Sequence, residues 1–181
     1  HERIDPLVGL VPARGERPRQ RVDGHGDLAR AAIAELARRR GVGGQGGSHV
    51  RNMLRVPGAR ITAVCDIAEE RVKLMQKWVV EAGQKEPAGY TRGPRDFERL
   101  CETEDLDLVF TATPWEWHVP VCVAAMKNGK HAATEVPAAM TLDDCWQLVE
   151  QAEKHRKHCV MMENCNYDRP EMMVFNMVRQ G

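Results

Sequence analysis

The sequence predicts an α/β fold with a doubly wound, parallel sheet, and three observations carry that prediction. Strand-like and helix-like apolar patterns alternate from residue 41 onward. A glycine run, Gly41-Val42-Gly43-Gly44-Gln45-Gly46, opens one of the helical patterns, and Asp66 follows it at the end of an apolar run over 61–65. The segment 106–113 holds Leu106, Leu108, Val109 and Phe110, the near-continuous apolar character of a strand covered on both faces. Strand–helix–strand units of this kind stack side by side through right-handed crossovers.

In chain order, residues 1–26 are rich in Arg, Gly and Pro and read as disordered. Residues 27–40 read as a helix. Asp27 can cap it, Leu28, Ala32, Ile33 and Leu36 fall near helical spacing, and Ala, Leu and Arg are strong helix formers. A helix over 48–56 follows the glycine run and is stopped by Pro57 and Gly58. A strand over 60–65 comes next, then an amphipathic helix over 68–82 with Val72, Met75, Trp78 and Val79 inward, ended by Gly83. After a loop over 84–94, a short helix over 95–101 carries Phe97 and Leu100.

The strand over 106–113 ends in a Thr113-Pro114 turn, and a helix over 119–127 is closed by Asn128 and Gly129. Residues 130–135 form the next strand. Thr141, with Asp144 three residues on, has capping-box spacing for a helix to residue 157. A strand over 158–163 and a Met-rich helix over 170–180 complete the pattern. No internal repeat is evident.

One element is missing from this pattern. A glycine fingerprint of this type follows a strand of about five to seven apolar residues, whereas 34–40 read as helix. The sheet is therefore expected to lack its first, central strand. The expected division is an atypical Arg/Gly/Pro/Ala-rich leader over 1–40, a nucleotide-binding domain over 41–165, and the start of a truncated second α/β domain over 166–181.

Composition narrows the function. The 26 basic and 26 acidic residues balance to a formal charge of zero, which argues against nucleic acid or an anionic membrane as partner. No apolar run approaches the roughly 18 to 20 residues that span a bilayer, and no targeting leader with a hydrophobic region and cleavage site is recognisable. The six cysteines, at 65, 101, 122, 145, 159 and 165, form no Cys-x-x-Cys and no zinc-type cluster. They read as structural thiols, and no metal site is expected. A homo-oligomer is compatible with the sequence.

The glycine run and Asp66 point to a dinucleotide. Gly41, Gly43 and Gly46 would give a tight turn, room for a pyrophosphate against the backbone, and close packing of the following helix, as in a Rossmann-like fold. That helix aims its N–H groups and positive dipole end at the phosphates. Asp66 would accept hydrogen bonds from the adenosine ribose and repel a 2′-phosphate, which favours NAD over NADP. Ligands of such sheets bind beyond the carboxyl ends of the strands. Three predicted strand ends carry polar and aromatic groups: Thr113 to His118, Thr134 to Pro137, and Glu163 to Pro170.

These strand ends carry a resemblance. Thr113-Pro114 with His118, and Gly129-Lys130-His131 with Glu135-Val136-Pro137, resemble the turns of the Gfo/Idh/MocA oxidoreductases. The Trp115-Glu116-Trp117-His118 run, Val136 in place of a lysine, and the segment from Asn164 through Tyr167 to Pro170 look most like glycoside hydrolase family 109, the NAD-dependent α-N-acetylgalactosaminidases. The resemblance covers residues 41–181. It implies cofactor contacts on Gly44, Gln45, Asp66, Trp115, Glu116, Trp117, His118, Glu135, Val136 and Asn164, with catalytic roles for His118 and Tyr167. It also implies a sugar or glycoside substrate and a recycled NAD. In that scheme the sugar is oxidised at C3, the glycosidic bond breaks by elimination, water adds, and the ketone is re-reduced. Such a route needs no pair of catalytic carboxylates. Family members usually carry Arg where this chain has Gln45, and many relatives are exported.

Several of these residues have a second reading. His118 either caps the helix that begins beside it or contacts the ligand. Trp115 and Trp117 serve equally as packing anchors or as indoles against a nicotinamide. Tyr167 is either a proton donor or a hydrogen-bonded core tyrosine. Two other functions stay open: an NAD-dependent sugar dehydrogenase of the same superfamily, and an inactive fragment. The sugar-binding residues of family 109 are expected after Gly181, so the chain alone is expected not to turn over.

Overall fold

The computed structural model describes residues 29–34 and 45–181. The disordered segment expected over 1–26, and Gly41, Gly43 and Gly44, lie outside the described residues. The elements run β1 (Ala29–Ala34), α1 (Gln45–Met53), β2 (Ala59–Cys65), α2 (Glu69–Glu81), β3 (Ala88–Tyr90), α3 (Asp96–Thr103) and β4 (Leu108–Thr111). They continue through a 3₁₀ turn at Trp115–Trp117 to α4 (His118–Lys127), β5 (His131–Thr134), α5 (Leu142–His155), β6 (Cys159–Met161) and α6 (Arg169–Gln180). The six strands pair in parallel in the order β3-β2-β1-β4-β5-β6, a Rossmann-like doubly wound sheet. Among the described residues, no helix is long and apolar enough to cross a membrane.

β1 corrects the sequence reading. Residues 29–34 are not helical and the sheet does not lack its first strand: Ala29–Ala34 is that strand, paired with β2 on one side and β4 on the other. Alanine favours helix as an isolated residue, but that preference is weak beside the pairing on offer. Without β1, the facing edges of β2 and β4 would leave backbone N–H and C=O groups unpaired in the core. Ala31, Ala32, Ile33 and Ala34 are all buried, the near-continuous apolar run of a central parallel strand.

β1 serves both layers of the core. Ala32 and Ala34 pack with Ala63, Cys65 and Val109 under α3, α4 and α5, while Ile33 packs with Ile61 and Val64 under α1 and α2. A register shift pairs Ala31 with Ile61 but Ala32 with Ala63. The extra residue, Thr62, lets Ile61 and Val64 share one face despite their odd spacing. The sequence reading also missed β3, which it assigned to a loop. Three residues give little periodicity, and Gly89 is there because a Cβ would come within 2.9 Å of Val72 Cγ1 on α2.

Arg30 locks the amino end of β1 to the segment entering β4. Its backbone N–H donates to Asp107 Oδ2 at 2.6 Å, its Nη2 donates to Asp107 Oδ1 at 3.2 Å, and Nη1 pairs with Asp105. Asp107 N returns a bond to Arg30 O at 2.9 Å. The side-chain and backbone hydrogen bonds from Arg30 outweigh burial and hold the Asp107 carboxyl below the usual carboxylate range. A carboxyl depressed in the folded state stabilises the fold above its unfolded pKa, about 3.9, and that contribution is lost as pH falls through the folded value. The urea midpoint of the wild type should therefore fall more steeply between about pH 4 and pH 2 than that of Asp107→Asn. Parallel curves would mean that this lock adds no stability.

Candidate functional site

The strand order reverses between β1 and β4, so the crevice outside their carboxyl ends is the ligand position that the topology creates. α1 begins on one side of it. Gly46 and Gly47 are buried, and a Cβ on Gly47 would come within 3.2 Å of the Trp78 ring on α2. Close helix packing thus falls also on Gly47, a residue that the sequence reading did not single out. Arg51 covers the same indole, 4.8 Å from its centroid. The backbone N–H groups of the first turn of α1 have no carbonyl partner within the helix, which is what makes a helix N-terminus an anion site.

Asp66 stands at the carboxyl end of β2 and is buried. Its backbone N–H donates to Tyr90 O at 3.1 Å, and its Oδ1 accepts from Ala68 N at 2.8 Å, fixing the carboxylate at the start of α2. A second carboxylate, Asp96, accepts from Arg92 N at 2.9 Å and from Arg99 Nε at 2.8 Å. Burial, then Asp96, then Asp66 push the Cys65 thiol up, against the smaller opposing effect of Arg99.

The segment after β4 separates into parts with different tasks. Trp115 is 59% exposed and Glu116 is exposed. Trp117 instead packs edge-on against Phe97, with ring centroids 5.9 Å apart at 67°. His118 is 1% exposed. Its Nε2 lies 2.8 Å from Thr113 O and its Nδ1 2.6 Å from Pro137 O, so both ring nitrogens face backbone acceptors. The ring ties the turn after β4 to the turn after β5. The Thr111 and Thr113 hydroxyls share a buried contact of 2.9 Å.

After β5, Glu135 N donates to Thr111 O at 3.0 Å, which seats the residue beside the end of β4. Its Oε1 lies 2.6 Å from His49 Nε2 on α1. His49 in turn stacks on Phe110 of β4, with ring centroids 6.3 Å apart at 27°. The sequence reading missed His49. Its only signal is a polar residue on the helix side shared by Gly46, Val50 and Met53. Val136 is exposed beside Glu135. Beyond β6, Asn164 is exposed, and Tyr167 is 85% exposed, so it is no core tyrosine.

The structure therefore gathers Gly46, Asp66, Trp115, Glu116, His118, Glu135, Val136 and Asn164 along the carboxyl edge of one sheet. Tyr167 lies past that edge, and Gln45 contributes the first residue of α1. All six cysteines are free thiols, with Cys65, Cys101 and Cys122 buried.

A parallel sheet with a helix N-terminus at its switch point and an acid ending the neighbouring strand defines a nucleotide-binding α/β domain. Residues 40–163 match the oxidoreductase family with the NAD-binding Rossmann fold, Gfo/Idh/MocA, and the chain belongs to that family. It is 48% identical over 141 residues to a glycosyl hydrolase family 109 protein of Saccharopolyspora erythraea, covering 78% of this chain and 31% of that one. It is 47% identical over 141 residues to an α-N-acetylgalactosaminidase of Bacteroides fragilis, covering 78% and 33%. The chain thus spans about a third of the length of the curated relatives it matches. The fold is also that of a scyllo-inositol dehydrogenase from Lactobacillus casei, solved with bound NAD(H) and scyllo-inositol. That match has a TM-score of 0.67 and 19% identity, and covers 83% of this chain and 41% of the other.

The His118 clamp makes a stability prediction. Removing the ring leaves a void at a buried position and at least one carbonyl oxygen without its donor, at about 1–3 kcal/mol when buried. His118→Ala should lower the unfolding free energy by about 2–4 kcal/mol in urea titrations. A loss within about 0.5 kcal/mol, the range of an ordinary surface change, would show that the ring does not hold the two turns.

Proposed function

We propose that this chain is the NAD-binding part of a glycosidase that cleaves α-N-acetylgalactosaminides. The observation that carries the reading is the placing of Asp66, the Trp115–Trp117 turn and the Glu135-Val136 pair on one sheet edge, in a chain 47% identical to an α-N-acetylgalactosaminidase. The residues fit the cofactor. The glycine run from Gly41 through Gly43, Gly44 and Gln45 to Gly46, with the N-terminus of α1, would hold the pyrophosphate. Asp66 would take the adenosine ribose. The charge of Asp66 would make the corner hostile to a 2′-phosphate, while that of Asp96 is balanced by Arg99. On the nicotinamide side would lie Trp115, Glu116, Glu135, Val136 and Asn164, with Trp117 bracing the turn from behind.

NAD, when bound, would supply a recyclable hydride acceptor, so that a sugar is oxidised and re-reduced with no net redox change. The chain's own groups do the rest. His118, both nitrogens engaged, acts by holding the two turns in place. Val136 offers no ionisable group, so proton transfer falls to a residue such as Tyr167, whose hydroxyl is open to solvent.

Calorimetry with NAD and NADP tests the cofactor assignment. The wild-type chain should bind NAD saturably and NADP at least about tenfold more weakly, a difference of about 1.4 kcal/mol, and Asp66→Ala should weaken NAD and narrow the gap. No saturable NAD binding would overturn the reading. With the chain joined to the remaining part of a family 109 relative and p-nitrophenyl α-N-acetylgalactosaminide as probe, cleavage without NADH accumulation supports the glycosidase. NADH accumulation from the free sugar would instead make the protein a dehydrogenase.

A further inference from the structure

We infer that His49 is a positioning residue for Glu135, and that the pair joins the phosphate end of the cofactor site to its nicotinamide-ribose end. The inference rests on the NAD-binding reading above. His49 Nε2 and Glu135 Oε1 are 2.6 Å apart, and each side chain is only 18% exposed, so solvent competes little for the contact. A hydrogen bond to a carboxylate at this length is of the strong, charge-assisted kind.

Both partners are fixed from behind. Phe110 stacks on the His49 ring, and the Glu135 backbone is tied to Thr111 O at 3.0 Å. Oε1 is held on His49 and Oε2 lies 3.4 Å from Val136 N, so the carboxylate is oriented at both oxygens. A strand-end glutamate free to rotate would lose rotamer freedom when it bound a ribose hydroxyl. One already held by α1 would not. The connection is mechanical as well as local. The first turn of α1 is the candidate phosphate site, and His49 stands one turn further along the same helix, so α1 sets both positions at once.

ADP separates this role from a merely structural one, because it carries the adenosine and pyrophosphate but not the nicotinamide ribose. His49→Phe keeps a ring against Phe110 and removes the donor; His49→Gln keeps a donor of similar reach. By calorimetry on the full chain, His49→Phe should weaken NAD about tenfold while leaving ADP within about twofold of the wild type. His49→Gln should recover NAD to within about threefold of the wild type, and His49→Phe should cost nothing further in a Glu135→Ala background. Equal losses for NAD and ADP would make His49 a packing residue of α1, and additive losses in the double variant would mean that the two residues act separately. Either result overturns the inference while NAD binding itself stands. A wild-type chain that binds neither nucleotide would remove the cofactor reading, and this inference with it.

Discussion

The structure depends on six residues being held in the middle of a parallel sheet. β1 is short, contains four alanines, and has one large apolar side chain, Ile33. Its stability comes from its place. β2 and β4 each offer a full edge of backbone donors and acceptors, and both cores close over it. Once β1 lies there, the strand order must reverse beside it, and the crevice follows. α1 is then set over β1 and β2, and its N-terminus faces the point where the two halves of the sheet diverge. The family match begins at residue 40, after β1, so the central strand is supplied by sequence outside the matched region.

Around the crevice, polar side chains organise backbone more than they offer themselves to solvent. Asp66 caps the turn into α2, His118 spans two turns through carbonyl oxygens, and Glu135 is drawn toward α1 by His49. This fixes the turns after β4 and β5 relative to each other and to α1 before any ligand arrives, and preorganisation of that kind lowers the entropic cost of binding. Trp115, Val136, Asn164 and Tyr167 are left exposed, open to a ligand.

Most of the fold from β2 onward was legible because its elements are long enough to show their period or carry clear stops. Examples are Val72, Met75 and Val79 on α2, and Thr141 capping α5 through Asp144 N at 3.1 Å. β1 and β3 were not legible. β1 is composed of helix-favouring residues that only tertiary pairing makes extended, and β3 is three residues long. At the site, Asp66 and Glu135 were visible from their places at strand ends. The division between exposed Trp115 and packed Trp117 depends on where Phe97 lies, and the commitment of His118 to two carbonyls depends on which turns meet. His49 carries no motif of its own, and its meaning appears only when the fold brings its ring to Phe110 and Glu135.

Peptide-resolved amide hydrogen exchange on the purified chain, with and without NAD, tests the central claim most directly. Residues 31–34 should exchange as slowly as those of β2 and β4, since only opening of the whole sheet exposes a central strand. NAD should further slow the first turn of α1 and the carboxyl ends of β2, β4 and β5, and leave the amino ends of the strands unchanged. Exchange of 31–34 at the rate of exposed segments, or a pattern indifferent to NAD, would contradict a central β1 that builds a dinucleotide crevice.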